Sequence, residues 1–158
     1  MNKKAQMIGQ VFILVIAAIV FILILTYGYS AISNFIQSSE KVALLDFKSS
    51  LVSGVEQIKS DYGSVRKLSL RVPKKYQKLC IVSSDLSADV GSFALKYPVL
   101  FEAWQTGSEN VFLVPKQDSP ILIEDVVVRD GYFCTGISGG LVDLRVEGGG
   151  DKTFVSPW

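Results

Sequence analysis

The sequence predicts an α+β protein, in which a long hydrophobic N-terminal α-helix is followed by a small antiparallel β-sheet domain. No charged residue occurs from Ala5 to Ser39, and the first proline is Pro73. Proline therefore interrupts no helix in the residues before it. After Gly63 the pattern changes to short β-prone runs, of which Ile121–Val128 is rich in β-branched residues, separated by turn signals. Closely spaced runs of this kind are typical of an antiparallel sheet.

The charge-free N-terminal segment is long enough to cross a membrane. Val11–Leu25 is an unbroken apolar block, and Val11–Ile32 contains 22 residues, whereas a bilayer core needs about 20 in a helix. Exposing this segment to water would cost tens of kcal/mol, at ~1.5–3 kcal/mol for each large side chain. It must therefore lie in a bilayer, against copies of itself, or in each at different times.

The charges that flank this segment predict its orientation. Lys3 and Lys4 precede it, so the positive-inside rule places the N-terminus in the cytoplasm and the chain after about Ile32 outside. Tyr27 and Tyr29 at its outer end suit a membrane–water interface.

These residues alone leave three interpretations of the segment open. It is a plain signal anchor, an element of assembly, or a secretory signal that is removed at Ala31-Ile32-Ser33, where small residues flank a larger one. The apolar block is already as long as the longest apolar regions of secretory signals, and largely uncharged residues follow it. This length disfavours the last interpretation.

The helix is expected to continue beyond the membrane-type segment as an amphipathic helix over residues 37–63. Apolar residues recur there at steps of three and four, which predicts one buried stripe. Gly63 is the expected stop, and Gly28 is the expected place for a bend. The stripe consists of Leu44, Phe47, Leu51, Val55, Ile58 and Tyr62.

Residues 64–158 are predicted to form the β-rich domain, which packs one face of its sheet on that stripe. Pro98 begins a short helix over Tyr97–Gln105. The predicted strands are Val65–Val72, Leu79–Ser83, Val111–Val114, Ile121–Val128, Tyr132–Ile137, Leu141–Val146 and Thr153–Val155.

The two cysteines of the chain, Cys80 and Cys134, each fall in a predicted strand. Outside the membrane a disulfide between them is chemically sensible. It would close a loop of about 54 residues and stabilise the domain by ~4 kcal/mol in the chain-entropy model. Two buried free thiols are the alternative.

The composition argues against an enzyme and against a bound cofactor or metal ion. The chain has no histidine, the commonest general base near neutral pH and the commonest metal ligand. Gly136–Gly140 matches a G-x-S-x-G pattern, but no histidine can activate Ser138, so a glycine-rich turn is predicted. The 16 basic and 15 acidic residues give a net charge of +1, and nucleic acid is not an expected partner.

A basic cluster near Pro73 is interpreted as a solvated face or a contact between subunits. It consists of Arg66, Lys67, Arg71, Lys74, Lys75 and Lys78.

The residues around the N-terminal lysines resemble the processing site of archaeal type IV pilins and archaellins. In that family a prepilin peptidase cuts after a basic residue followed by Gly or Ala, which corresponds to Lys4 and Ala5 here. Gln6 would become the first mature residue, as in the family pattern, and Leu14 matches its ninth position. Two positions depart from the pattern. Ile8 replaces a serine, and Gln10 replaces the glutamate that is thought to pair with a neighbouring subunit's terminal amine.

This resemblance implies the lollipop plan of pilin-like subunits. Residues 1–5 would be a leader peptide, 6–36 a transmembrane and filament-core helix, and 64–158 an extracellular domain. The expected partners are membrane lipid before assembly, then copies of the same chain, with a prepilin peptidase and an assembly machinery. The expected core residues are Gln10, Val11, Leu14, Ala18, Phe21, Leu25 and Gly28.

The alternative is a permanently membrane-anchored envelope protein that does not polymerise. It would be a minor pilin or a module whose β domain binds a partner.

Overall fold

The computed structural model describes residues 3–85, 90–117 and 119–158, and in the first helix it describes side chains from Phe12 on, apart from positions 34, 35 and 37. The fold class is α+β, as predicted: a long apolar helix precedes small β-sheets. The chain divides into two compact units, Met1–Lys41 and Val42–Trp158. Met1 and Asn2 of the predicted leader lie outside the described residues.

The elements that the structure describes follow one another in a simple order. They are α1 (Lys3–Lys59), β1 (Val65–Arg71), β2 (Lys78–Val82), α2 (Gly91–Lys96), α3 (Pro98–Gln105), β3 (Val111–Val114), β4 (Val126–Val127), β5 (Tyr132–Gly136), β6 (Leu141–Gly148) and β7 (Thr153–Pro157).

Helix α1 ends at Lys59, three residues before the predicted end at Tyr62. The chain leaves the helix to pair with β6: Tyr62 forms an isolated bridge with Gly148, and the Gly63 amide donates to the Gly148 carbonyl at 2.9 Å. Gly63 adopts a φ of +76°, which glycine reaches without strain. Tyr62 is therefore 84% exposed and does not belong to the buried stripe. At Gly28 the backbone is helical.

The described strands form two sheets instead of the single antiparallel sheet that was predicted. The first has the order β1-β6-β7-β4, in which β4 and β7 are parallel and the other pairs antiparallel. The second has the order β3-β2-β5 and is antiparallel throughout. Pairing between β4 and β7 joins segments far apart in sequence, which local periodicity cannot predict.

The predicted strand Ile121–Val128 is wrong over most of its length, since β4 contains only Val126 and Val127. The buried side chain of Asn110 takes the place of a neighbouring strand. Its amide donates to the Ile123 carbonyl at 2.8 Å and its oxygen accepts from the Ile123 amide at 2.9 Å. A buried backbone needs such partners, whether they come from a sheet or from a side chain.

The main core of the Val42–Trp158 unit lies between the stripe of α1 and the sheets. Phe47, Leu51, Val55 and Ile58 are buried there, as the spacing predicts. The strands and the segment before β4 cover them with apolar side chains, among them Leu70, Leu79, Leu113, Ile121, Leu144 and Val146.

A second core cluster packs α2 and α3 on the three-stranded sheet. Phe93 is fully buried beside Phe112, and Trp104 donates from its ring nitrogen to the Ser83 carbonyl at 2.9 Å. The short helix α3 begins at Pro98, as predicted. Helix α2 was not predicted, because its six residues are too few to display a helical period.

Candidate membrane and assembly helix

The described part of α1 between Phe12 and Ile32 exposes its apolar side chains around the whole helix. Among the large aliphatic and phenylalanine side chains, exposed fractions run from 46% at Ile16 to 69% at Leu14, and Tyr29 reaches 80%. Among the described residues, one helix is long and apolar enough by composition to cross a membrane, and it contains this segment. A helix that is hydrophobic all round requires apolar surroundings on every side.

Thr26 is a polar side chain in this segment that is already satisfied within the helix. Its hydroxyl donates to the Ile22 carbonyl at 2.7 Å and lies 3.1 Å from the Leu23 carbonyl. In lipid each polar group must find its partner inside the protein. This internal bond therefore makes Thr26 compatible with a bilayer and with a dry contact between helices.

The structure brings several of the predicted core residues to one face of α1. Leu14, Ala18, Phe21 and Leu25 are exposed and follow one another at steps of four, three and four, which places them along one stripe. Gly28 continues that stripe and has open space where a Cβ would stand.

The remaining predicted residues of this helix have a described backbone only. Lys4, Ala5, Gln6, Gln10 and Val11 fall within α1, and their side chains lie outside the described part. The processing site therefore stays a prediction.

A shallow apolar groove of about 500 Å³ follows an adjoining face of the same segment. Ala17 lies between larger neighbours, Ile13, Ile16, Val20 and Phe21. A small residue between large ones lets another helix approach closely, and ridges of one helix pack into such grooves of the next. This groove was not predicted from the sequence, although Ala17-Ala18, the small pair in a run of large side chains, is a signal that could have indicated it.

The predicted disulfide is confirmed. Cys80 lies in the central strand β2 directly opposite Cys134 of β5, and the two are bonded. The bond joins residues 54 positions apart. It therefore ties two strands of the three-stranded sheet covalently.

Lys59 and Asp143, both in the Val42–Trp158 unit, have shifted pKa values. The hydrogen bond to Asp125 raises the pKa of Lys59 above its usual value. Hydrogen bonds from Ser69, at 2.7 Å, and from Lys67 lower the pKa of Asp143. The first pair joins the end of α1 to the segment before β4, and the second joins β1 to β6.

The candidate serine motif is a hairpin turn. Ser138 and Leu141 exchange both backbone hydrogen bonds at 3.0 Å, and Gly139 and Gly140 between them have φ values of 61° and 77°. A two-residue turn of this type requires positive φ at both positions. Among the described residues no group of three or more metal-ligating side chains comes together.

The basic cluster near Pro73 divides into paired and exposed members. Arg66 contacts Asp61 at 3.4 Å, and Lys67 contacts Asp143 at 2.9 Å. Arg71, Lys74 and Lys78 are exposed.

Comparison with known proteins gives no match: no protein-family model, no curated protein and no solved structure matches this chain.

Proposed function

We propose that the chain is the structural subunit of an extracellular filament similar to a type IV pilus. Before assembly it is held in the membrane by the apolar part of α1, with its N-terminus in the cytoplasm. On assembly the same helix leaves the lipid and packs against the helices of other copies. The β-rich domain then coats the filament and makes adhesive or other surface contacts.

The observation that carries this proposal is the apolar surface of Phe12–Ile32, exposed on every side of a helix whose next part is amphipathic. The stripe at Phe47–Ile58 is already covered by the strands. The first segment has no such cover, and water is excluded as its permanent surroundings by the cost of tens of kcal/mol. Lipid and neighbouring copies are both apolar, so moving from one to the other loses little hydrophobic stabilisation.

Cleavage between Ala5 and Gln6 would remove Lys3 and Lys4, which hold the orientation in the membrane. A filament core without these two cations avoids burying like charges beside each other. The resemblance to archaeal pilins and archaellins in Lys4, Ala5, Gln6 and Leu14 supports this step.

A second candidate function is a permanently anchored envelope protein. The same apolar helix supports it, because a single span also anchors a protein that never polymerises. In that case the β-rich domain would bind a partner at the cell surface.

The experiment combines the intact mass of the native protein with immunogold electron microscopy of the cells that make it. The proposal predicts a mature chain that begins at Gln6 and gold label along filaments. A chain that begins at Met1, in cells whose label stays on the membrane, would sink the proposal in favour of the permanent anchor.

A further inference from the structure

Two groups of exposed charges, one mainly basic and one mainly acidic, lie near opposite ends of the α1 segment in the Val42–Trp158 unit. Near the start of that segment, a groove of about 570 Å³ lies between the helix and the end of β1. Asp46 and Phe47 line it from the helix, and Arg71 and Lys74 line it from β1 and the loop that follows. Arg71 and Lys74 are exposed, and neither forms an ion pair with another described residue. We call this the basic end.

Glu124, Asp125 and Asp151 lie near the other end, where α1 stops, and outnumber the exposed Lys152 that follows Asp151. Lys59 is bonded to Asp125, and the charges of Glu124 and Asp151 also raise its pKa. The Gly150 amide donates to the Lys59 carbonyl at 2.8 Å, which holds the loop carrying Asp151 against the helix end. Glu124 and Asp151 are exposed and form no ion pair within the described part of the chain. We call this the acidic end.

The two ends are separate surfaces. Asp46 and Lys59 are 13 residues apart on one helix, which corresponds to about 20 Å at 1.5 Å per residue. This exceeds the Debye length of about 10 Å at 0.1 M salt. The opposite charges therefore hardly neutralise each other within one copy, and each end can attract an opposite charge from outside.

We infer that the basic end of one copy docks on the acidic end of a second copy of this chain. Arg71 and Lys74 would face Glu124 and Asp151, and the groove beside Phe47 would receive the loops of the neighbour. The contact joins two different surfaces of the same chain, so it leaves a free basic end and a free acidic end at every stage. A heterologous contact of this kind produces open helical polymers when its rotation does not close a ring.

Charge complementarity is what selects a second copy as the occupant. An anionic partner such as a lipid headgroup would match the basic end alone and leave the acidic end unexplained. A second copy matches both. The inference rests on the proposed function, because a polymer is the state in which every copy makes the contact twice, and it adds a site between β-rich domains to the apolar helix.

The test is carbodiimide cross-linking, which joins a lysine amine to a carboxylate in direct contact. Unlabelled and ¹⁵N-labelled full-length chains are mixed in detergent at low ionic strength, cross-linked and digested. We expect mixed-label peptides that join Lys74 to Glu124 or Asp151. Their yield should fall at least ~5-fold at high salt, since salt screens contacts between exposed charges.

Two substitutions with the same change of charge provide the matched comparison. Arg71→Glu places a negative charge in the basic end and should lower the yield of the Lys74 cross-link at least ~5-fold by like-charge repulsion. Lys96→Glu changes an exposed lysine of α2 that belongs to neither end and should leave the yield unchanged. Combining Arg71→Glu with Glu124→Lys and Asp151→Lys reverses the polarity of the contact. New mixed-label peptides should then join the glutamate introduced at position 71 to a lysine introduced at position 124 or 151, which a merely misfolded variant would not produce.

The inference is overturned if mixed-label peptides join other surfaces, if none form, or if Arg71→Glu and Lys96→Glu behave alike. Because the measurement uses detergent-solubilised chains, it does not depend on filaments. Filaments without this cross-link would refute the contact and leave the proposed function standing. If the cross-link forms but the chain makes no filament on cells, the contact stands and the proposed function is refuted.

Discussion

Gly148 lies where strand β6 crosses the end of α1, and no other residue fits there. A Cβ at this position would stand 2.1 Å from the Ile58 carbonyl oxygen and 2.4 Å from that of Asp61. Both atoms belong to the backbone, so neither can rotate away. The amide of Gly148 also donates to the Ser64 carbonyl at 3.0 Å, which fixes the strand against the chain that leaves the helix.

Gly148→Ala should therefore destabilise the β-rich domain by about 1–3 kcal/mol or more, the usual cost of overpacking. Gly136→Ala is the matched control, because it also lies in a strand but has nothing within 4 Å of its Cβ position. Urea unfolding followed by the fluorescence of the buried Trp104 measures both. Equal midpoints for the two variants would contradict the contact between β6 and the helix end.

The Cys80–Cys134 bond carries a prediction of its own. In the chain-entropy model a loop of 54 residues corresponds to a stabilisation of ~4 kcal/mol. Replacing both cysteines with serine should lower the unfolding free energy by about the same amount. Reductant should destabilise the wild type to a similar extent and should not affect the variant. Non-reducing intact mass provides the direct check, since two free thiols in native protein would refute the bond.

At the scale of elements, α1 combines two helices with different surroundings. Its apolar part has no polar face, whereas Phe47, Leu51, Val55 and Ile58 form a single stripe that the strands cover. Both parts can be recognised in the sequence from where charged residues fall on a helix of 3.6 residues per turn. In the first part they are absent from every face, and in the second they leave one apolar stripe.

A charge in the apolar part of α1 should prevent both its insertion into the membrane and its packing against other copies in a filament. Val20→Asp places a carboxylate at the centre of the segment, which costs about 3 kcal/mol on insertion scales and more if the helix is packed dry against copies. We expect less chain in the membrane fraction and no filaments. Val20→Leu should behave as the wild type, and normal filaments from Val20→Asp would contradict a helical core.

The pairing of β1 with β6 should depend on pH through Asp143. Because hydrogen bonds from Ser69 and Lys67 lower the pKa of Asp143 below its usual 3.8, the ionised form stabilises the folded state. This contribution is fully present above the unfolded value and is lost as the pH falls through the folded pKa. Asp143→Asn should thus be less stable than wild type near neutral pH, with a difference that shrinks in acid.

The control for that experiment is Asp130→Asn. Asp130 is exposed and pairs with no cation among the described residues, so its removal should change stability little at any pH. Urea midpoints across the acid range give the comparison. A gap between Asp143→Asn and wild type that stays constant in strong acid would show that the carboxylate does not act through its charge.

Sequence patterns predicted those elements whose cause is local. Pro98 predicted the start of α3, and short β-prone runs between turn signals predicted β1, β2, β3, β5, β6 and β7. Helix α2 was missed because six residues are too few to display a helical period, and the other failures come from distant partners. Nothing in the sequence around Ile123 indicates that Asn110 will bind its backbone, and nothing near β4 indicates a parallel pairing with β7.

At the scale of the whole molecule, the sequence indicated the apolar helix but not the arrangement of charges. The helical period alone places Leu14, Ala18, Phe21 and Leu25 on one face. The basic end was visible as a cluster near Pro73, because its members are close in sequence. The acidic end was not, since Glu124 and Asp151 come from separate loops that meet only at the end of α1.

The central claim is that one helix surface serves first as a membrane span and then as the core of a polymer. Electron cryomicroscopy of filaments sheared from cells tests it most directly. The account predicts filaments made of this chain, with Phe12–Ile32 of many copies packed together along the axis and the β-rich domains outside. Filaments that lack this chain, or that carry its β-rich domain at the axis and the apolar helix elsewhere, would contradict the account.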